Sequence, residues 1–382
     1  MTLSEILSSE ELRREEFPVA RTKIFLGHAG VCPLPRRVAD AMAHYAFNAS
    51  EDDQETILPE LLRQSRDIAA RLVGAQPDEI SFVGPTSLAL SFVAASLPFR
   101  KGDNVLIYHD DYPTNVYPWM ALADRGVQVR LLNARELGRI RPLDVAGQVD
   151  EQTRLVALAS CHFVAGWRLD LDAIGRSLRE RNILFCVDGI QTLGAFPTPV
   201  KHVDFLAADA HKWLLGPCAA GILYVKKDLQ ERLRPPVLGW NNVRCPNYVA
   251  QEAIMFRSGP ARFEAGSHNV AGLVGLKACM ELLLELGVEN IAAELLRKRQ
   301  WLVPALEANG WSVLHAKAPR ENAGAILSLH RKDADVAAVH KQLAAANIVT
   351  SLRADRTGRQ YLRLSPHCYN TDDELRRVLE ML

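Results

Sequence analysis

The chain carries no excess of either charge: 45 lysine and arginine residues are matched by 45 aspartate and glutamate residues. That balance excludes the broad basic field of a nucleic-acid or anionic-membrane binder and leaves a small molecule as the expected ligand. No apolar run approaches the length of a membrane-spanning helix. Residues 1–16 are polar and acid-rich without the apolar centre of a signal peptide, so a cytoplasmic protein is expected. The seven cysteines are scattered rather than paired at ligand spacing, and Cys186 and Cys279 sit inside apolar runs, which predicts neither disulfides nor a metal site. Internal repeats and low-complexity tracts are missing as well.

What is present is an ordinary globular composition, 48% hydrophobic and 24% charged, in a chain of 382 residues long enough for one large core and a smaller second domain. Apolar runs at 79–83, 105–108, 127–132, 154–159, 183–187, 204–207 and 221–225 alternate with longer amphipathic stretches. This is the alternation of a mostly parallel α/β sheet. Around Pro235 and Pro236 the periodicity is lost, and the sequence to about residue 260 reads as loop and domain crossover. From about Val270 the pattern is helical. It then reads as strand at 311–314 and 325–329, helix at 334–345 and strand at 361–364, which predicts a small α+β carboxyl-terminal domain.

Three segments carry chemistry. Residues 182–187 read as a buried strand with Asp188 at its carboxyl end, followed by Gly189, Ile190 and Gln191; ligands of open α/β sheets bind at such ends. Ala210, His211, Lys212 and Trp213 put a lysine on a turn between an apolar strand and a glycine-bearing loop. The strand at 79–83 runs through Gly84 and Pro85 to Thr86 and Ser87, which open a helical stretch where free N–H groups, the helix dipole and two hydroxyls favour an anion. The same Thr-Ser pair also suits an ordinary helix cap. A carboxylate for a pyridinium nitrogen and a lysine for an aldehyde, each at a strand end, are what pyridoxal phosphate requires, and the anion site suits its phosphate.

With these segments in order, the chain resembles the class V aminotransferase superfamily of pyridoxal-phosphate enzymes, the group of cysteine desulfurases, selenocysteine lyases and isopenicillin-N-epimerase-like proteins. The resemblance covers nearly the whole chain. It runs from L-G-H-A-G-V-C-P-L-P at 26–35 through D-G-I-Q at 188–191 and A-H-K-W at 210–213 to R-F-E-A-G-S-H-N at 262–269 and R-L-S-P-H-C-Y-N-T at 363–371. It implies fold type I of the pyridoxal-phosphate-dependent transferases. An amino-terminal arm at 1–25 would pack with the small domain, a large cofactor-binding domain at 26–260 would carry a mostly parallel seven-stranded sheet, and a small α+β domain at 261–382 would include the domain-linking helix. A homodimer with shared active sites is implied as well.

Carried over position by position, the resemblance implies that Lys212 forms a Schiff base with the cofactor and that Asp188 holds its ring nitrogen protonated. Thr86 and Ser87 fall at the phosphate, and His211 matches a phosphate ligand. Gln191 matches a residue at the ring hydroxyl, and Tyr112 stands where an aromatic side chain stacks on the ring, a place desulfurases give to histidine. His162 falls near a contact of the ring hydroxyl and equally suits a structural role. Ser267 matches a hydroxyl that in relatives reaches the phosphate of the other subunit's cofactor, with Asn269 either beside it or capping the next helix. Arg363 matches the arginine that grips the substrate carboxylate in a bidentate fork. Arg353 is a candidate second anion contact, His28 is a candidate for the substrate pocket, and Trp240 either lines that pocket or simply packs. Asp209 departs from the family, which often has a hydroxyl there. An anion beside a phosphate is unfavourable, so Asp209 is expected to orient His211 or cap a turn.

Desulfurases of this family carry a cysteine on the loop before the carboxylate-binding arginine, and residues 351–359 contain none. Cys368 lies after Arg363, where a structural role is expected. The resemblance to desulfurase-like members, rather than any residue that fixes the leaving group, implies β-elimination from an amino acid, a carbon–sulfur lyase without the persulfide cysteine. An aminotransferase or an epimerase would use the same residues. A non-catalytic accessory protein would be expected to have lost one of Lys212, Asp188 and Arg363, and all three are present.

Overall fold

The computed structural model describes residues 1–382. Its large sheet has seven strands in the spatial order Ile80–Phe82, Gly221–Val225, Phe205–Asp209, Leu184–Asp188, Thr153–Ala159, Asn104–Ile107 and Gln128–Leu131. Neighbours are parallel except around Gly221–Val225, which runs against both Ile80–Phe82 and Phe205–Asp209.

The alternation of side chains along these strands builds two cores. Val156, Leu158, Leu206 and Ala208 face the helices Leu58–Val73 and Val270–Leu286, while Leu155, Ala157, Phe205 and Ala207 face the helix Thr86–Ser96. Burial on both faces is why these strands read as continuous apolar runs. Because Leu184–Asp188 and Phe205–Asp209 run parallel, their carboxyl ends, with Asp188 and Asp209, lie at one edge of the sheet.

The strand read from the sequence as 204–207 extends to Asp209, because Ala208 and Asp209 pair with Ile222 and Gly221. In the carboxyl-terminal part, Ser351–Ala354, Gln360–Leu364, Leu327–His330 and Ser312–Val313 form an antiparallel sheet in that order. The helices Val288–Ala308, Val336–Ala345 and Asp372–Glu380 contribute to its separate core. Ile24–Phe25 pairs in parallel with Ile348–Val349, tying the start of the chain to this unit. Arg13 of the amino-terminal arm reaches Glu374 at 2.8 Å. No helix is long and apolar enough to cross a membrane.

Candidate active site

A cavity of about 260 Å³ opens over the adjacent ends of Leu184–Asp188 and Phe205–Asp209. Thr86, Ser87, Tyr112, Asp188, Gln191, His211 and Lys212 line it from the large sheet, and Arg353 and Arg363 from the small one.

Beyond Asp209 a turn is closed by hydrogen bonds from the Leu215 N–H to the Lys212 carbonyl at 3.1 Å and from the Gly216 N–H to the Ala210 carbonyl at 2.9 Å. Gly194, at φ 94°, lets this turn seat: a Cβ there would lie 2.4 Å from the Trp213 carbonyl oxygen. The turn buries Lys212, which is 8% exposed. Burial, helped by Arg363 and Arg353 and opposed by Asp188, lowers its amine to about 8.

Asp188 is buried, and burial raises its carboxyl to about 6 against the opposing pull of the Ile190 N–H, Lys212 and Asn115. The Ile190 N–H donates to one oxygen at 3.0 Å and Asn115 Nδ2 to the other at 3.0 Å. Asp111, a second carboxylate whose charge acts on both Asp188 and Lys212, is also raised to about 6 by its enclosure.

Trp213 Nε1 donates to Gln191 Oε1 at 2.8 Å, and Gln191 Nε2 donates to the Ala29 carbonyl at 3.2 Å. With its carbonyl engaged, this amide offers its remaining N–H to a ligand. The ring of Tyr112, 46% exposed on the cavity wall, lies 5.3 Å from Lys212 Nζ and meets Phe163 edge to face at 5.4 Å.

Arg363 is only 1% exposed and has no carboxylate partner. Nη1 donates to the Phe163 carbonyl at 2.7 Å, Nη2 to Ser351 Oγ at 3.4 Å, and Nε has none. Gly30 leaves space in front of it, since a Cβ there would stand 3.7 Å from Nη2. A buried guanidinium without a counter-ion, facing a cavity, is matched to an anionic ligand. Arg353 is less buried and donates to the carbonyl of its neighbour Leu352 at 2.8 Å.

Other expected residues lie elsewhere. His28 is buried with Nδ1 on the Ser365 carbonyl and Nε2 on the Tyr369 hydroxyl, each at 2.9 Å, so its neighbours Ala29 and Gly30 reach the cavity and it does not. His162 also stays behind the wall. Its Nε2 bonds the Asp110 carbonyl at 2.9 Å, and its Nδ1 accepts the N–H groups of Val164 and Ala165, which shapes the loop that presents Phe163. Trp240 packs against Tyr248 away from this cavity. Ser267 is exposed and lines a neighbouring groove with Gly84 and Ala219, while Asn269 caps the helix Val270–Leu286. Cys368 is buried, its thiol pushed up to about 12. Asn115, Asp111 and Phe163 were not singled out from the sequence, where they sit among ordinary polar or apolar neighbours.

The aminotransferase class-V family model matches residues 24–378. The chain belongs to that family. A probable cysteine desulfurase of Methanothermobacter thermautotrophicus is 31% identical to this class-V enzyme over 98% of each chain. A cysteine desulfurase of Pectobacterium atrosepticum is 31% identical over 73% of this chain and 72% of its own. Among solved structures, the apo cysteine desulfurase of Thermococcus onnurineus superposes with a TM-score of 0.88 at 22% identity, over 97% of this chain and 96% of its own. The cystine C–S lyase C-DES, in complex with its product cysteine persulfide, gives 0.86 at 22% identity over 95% and 98%. These two likenesses establish the fold as type I of the pyridoxal-phosphate enzymes. Class-V membership and its desulfurase relatives make the chain a desulfurase-like enzyme whose cofactor is pyridoxal phosphate, and the donor set fits it: a lysine lowered toward neutrality, a buried carboxylate, two hydroxyls at a helix start, and an imidazole on the turn that also carries the lysine.

Proposed function

We propose that this class-V enzyme is a carbon–sulfur lyase that removes the β-substituent of a cysteine derivative without forming a persulfide on its own chain. One observation carries the reading: no cysteine lines the cavity, and residues 355–359, between the strands that bear Arg353 and Arg363, contain none. Five of the seven cysteines are buried, and Cys218 and Cys245 stand outside the cavity lining.

Bound pyridoxal phosphate supplies an aldehyde for the lysine amine and a ring that draws electrons from the substrate α-carbon. Lys212, its amine lowered by burial, is the base that takes the α-proton. Asp188, held by Asn115 and the Ile190 N–H, is the anion for the ring nitrogen. Thr86, Ser87 and His211 hold the phosphate, Tyr112 covers the ring, and Gln191 offers an N–H to the ring hydroxyl. Arg363 grips the α-carboxylate, and Arg353 takes an anionic group on the departing part of the substrate. The sulfur substituent leaves with its bonding electron pair once the α-proton is on Lys212. Water then yields pyruvate and ammonium.

Ser267, together with exposed Trp240, Tyr248, Val249, Ile254 and Met255, supports a homodimer in which this serine serves the neighbouring site. Seven free cysteines fit a reducing cytoplasm, where we place the enzyme. The test supplies purified enzyme and pyridoxal phosphate with cysteine, cystine and S-substituted cysteines. Pyruvate release with no persulfide on the protein by mass spectrometry is expected. Amino transfer to an added keto acid without pyruvate release would replace the lyase by a transaminase, and inversion alone by an epimerase.

A further inference from the structure

Asp209, the last residue of its strand, is 2% exposed and does not line the cavity. Its carboxylate accepts the backbone N–H groups of Ala210 at 2.9 Å, Ala219 at 3.1 Å and Ala220 at 3.0 Å, and it meets His211 Nδ1 at 2.8 Å. The Asp209 N–H, in turn, donates to Thr86 Oγ1 at 2.9 Å. One residue therefore touches two side chains of the cavity, one on its own turn and one at the start of the helix Thr86–Ser96.

Resting on the placement of the phosphate at Thr86, Ser87 and His211, we infer that Asp209 is a positioning residue that makes His211 and Thr86 hydrogen-bond donors toward that phosphate. Opposite a carboxylate, Nδ1 carries the ring hydrogen. Nε2 takes no protein partner, and the ring reaches the cavity. An anion at Nε2 is met by an N–H when the ring carries both hydrogens, and the carboxylate behind it balances that charge. Thr86 follows the same logic: with an oxygen lone pair engaged by the Asp209 N–H, its hydroxyl hydrogen is left for the ligand. The imidazole stands between two anions, and the Asp209 oxygens are occupied by N–H donors, so the carboxylate repels the phosphate less than an open aspartate would.

A carboxylate that merely pinned the loop through Ala219 and Ala220 would affect every ligand of the cavity alike. The experiment therefore compares the affinities of wild type and D209N for pyridoxal 5′-phosphate and for unphosphorylated pyridoxal, read from visible absorbance. We expect D209N to weaken pyridoxal phosphate by roughly tenfold or more, the scale of one charge-assisted hydrogen bond, and to change pyridoxal less than about threefold. H211Q should show the same selectivity, and D209N should add little in the H211Q background. Equal losses for both aldehydes, or full additivity of the two substitutions, would overturn the inference.

D209N removes a carboxylate that ties three backbone N–H groups, so a second measurement uses the wild type alone. Nitrogen-15 spectra of His211 should show hydrogens on both ring nitrogens with pyridoxal phosphate bound. A single protonated nitrogen there would also overturn the inference. Failure of the wild type to capture either aldehyde would overturn the reading of the site itself, and this inference with it.

Discussion

Asn115 Nδ2 donates to Asp188 Oδ2 at 3.0 Å from the turn that begins just after Tyr112. One loop thus sets both the aromatic cover and the carboxylate proposed for the ring nitrogen. N115L removes the side-chain donor to Asp188 and should lower kcat/KM about tenfold, while D188A should lower it by about 10²-fold or more. An N115L enzyme with wild-type kcat/KM would show that the Ile190 N–H is sufficient to hold Asp188.

The amine of Lys212 loses its proton near 8. Capture of pyridoxal phosphate by the cofactor-free protein should therefore accelerate as pH rises through about 8 and then level off, as followed by stopped-flow absorbance. Arg363 contributes to the depression, so R363M should move the midpoint upward. K212A should lose both the visible band and turnover, and retained turnover would remove Lys212 from the chemistry.

Arg363 is held by the Phe163 carbonyl and Ser351 Oγ with its remaining hydrogen-bonding capacity free. R363K keeps the charge and loses the planar fork, so KM for the amino acid should rise by on the order of 10²-fold with a smaller change in kcat. A KM within twofold of wild type would place the carboxylate elsewhere.

In the cofactor-free protein Asp188 titrates near 6 against an ordinary 3.8. Between those values the folded chain holds this proton more tightly than the unfolded one. The stabilisation is complete below about 4 and is lost as pH rises through 6. D188N escapes that loss, so its stability relative to wild type should grow from pH 4 to pH 7 by on the order of 2 kcal/mol. Chemical denaturation at the two pH values measures it. A constant difference would mean that Asp188 is not destabilised by burial.

On the proposed reaction, which forms no persulfide on the chain, C218S and C245S should leave turnover within about twofold, the range of a surface substitution. Loss of activity in either variant, with sulfur found on that cysteine in the wild type, would restore a desulfurase mechanism.

Much of the site was legible because it lies where regular patterns end. Asp188 closes a strand buried on both faces and Lys212 stands on the turn just beyond another, and such charged interruptions stand out against apolar runs. Asn115 and Asp111 gave no such signal, being polar residues in a polar segment, and only the packing of that segment against Asp188 turns them inward. Ser351–Ala354 pairs with Gln360–Leu364 alone and is half-buried, so it lacks an apolar run and was not read as a strand. His28 and His162 lie beside cavity residues in sequence, yet their ring nitrogens are engaged elsewhere, those of His162 by main-chain groups and those of His28 by a carbonyl and a tyrosine hydroxyl. For His28 the partners Ser365 and Tyr369 come from the far end of the chain, which no local pattern encodes.

Lys212 belongs to the large sheet and Arg363 to the small one, joined where Arg363 meets the Phe163 carbonyl and where His367 Nε2 meets the Trp213 carbonyl at 3.2 Å. The seam between the two units therefore acts as a ruler. On the roles proposed for Lys212 and Arg363, it measures the span from an amine to a carboxylate on one carbon, and a molecule with only one of these groups engages one side and leaves the other idle. On that proposal, the choice of an α-amino acid over a simple amine is written into how two sheets are bolted together, before any side chain of the substrate is read.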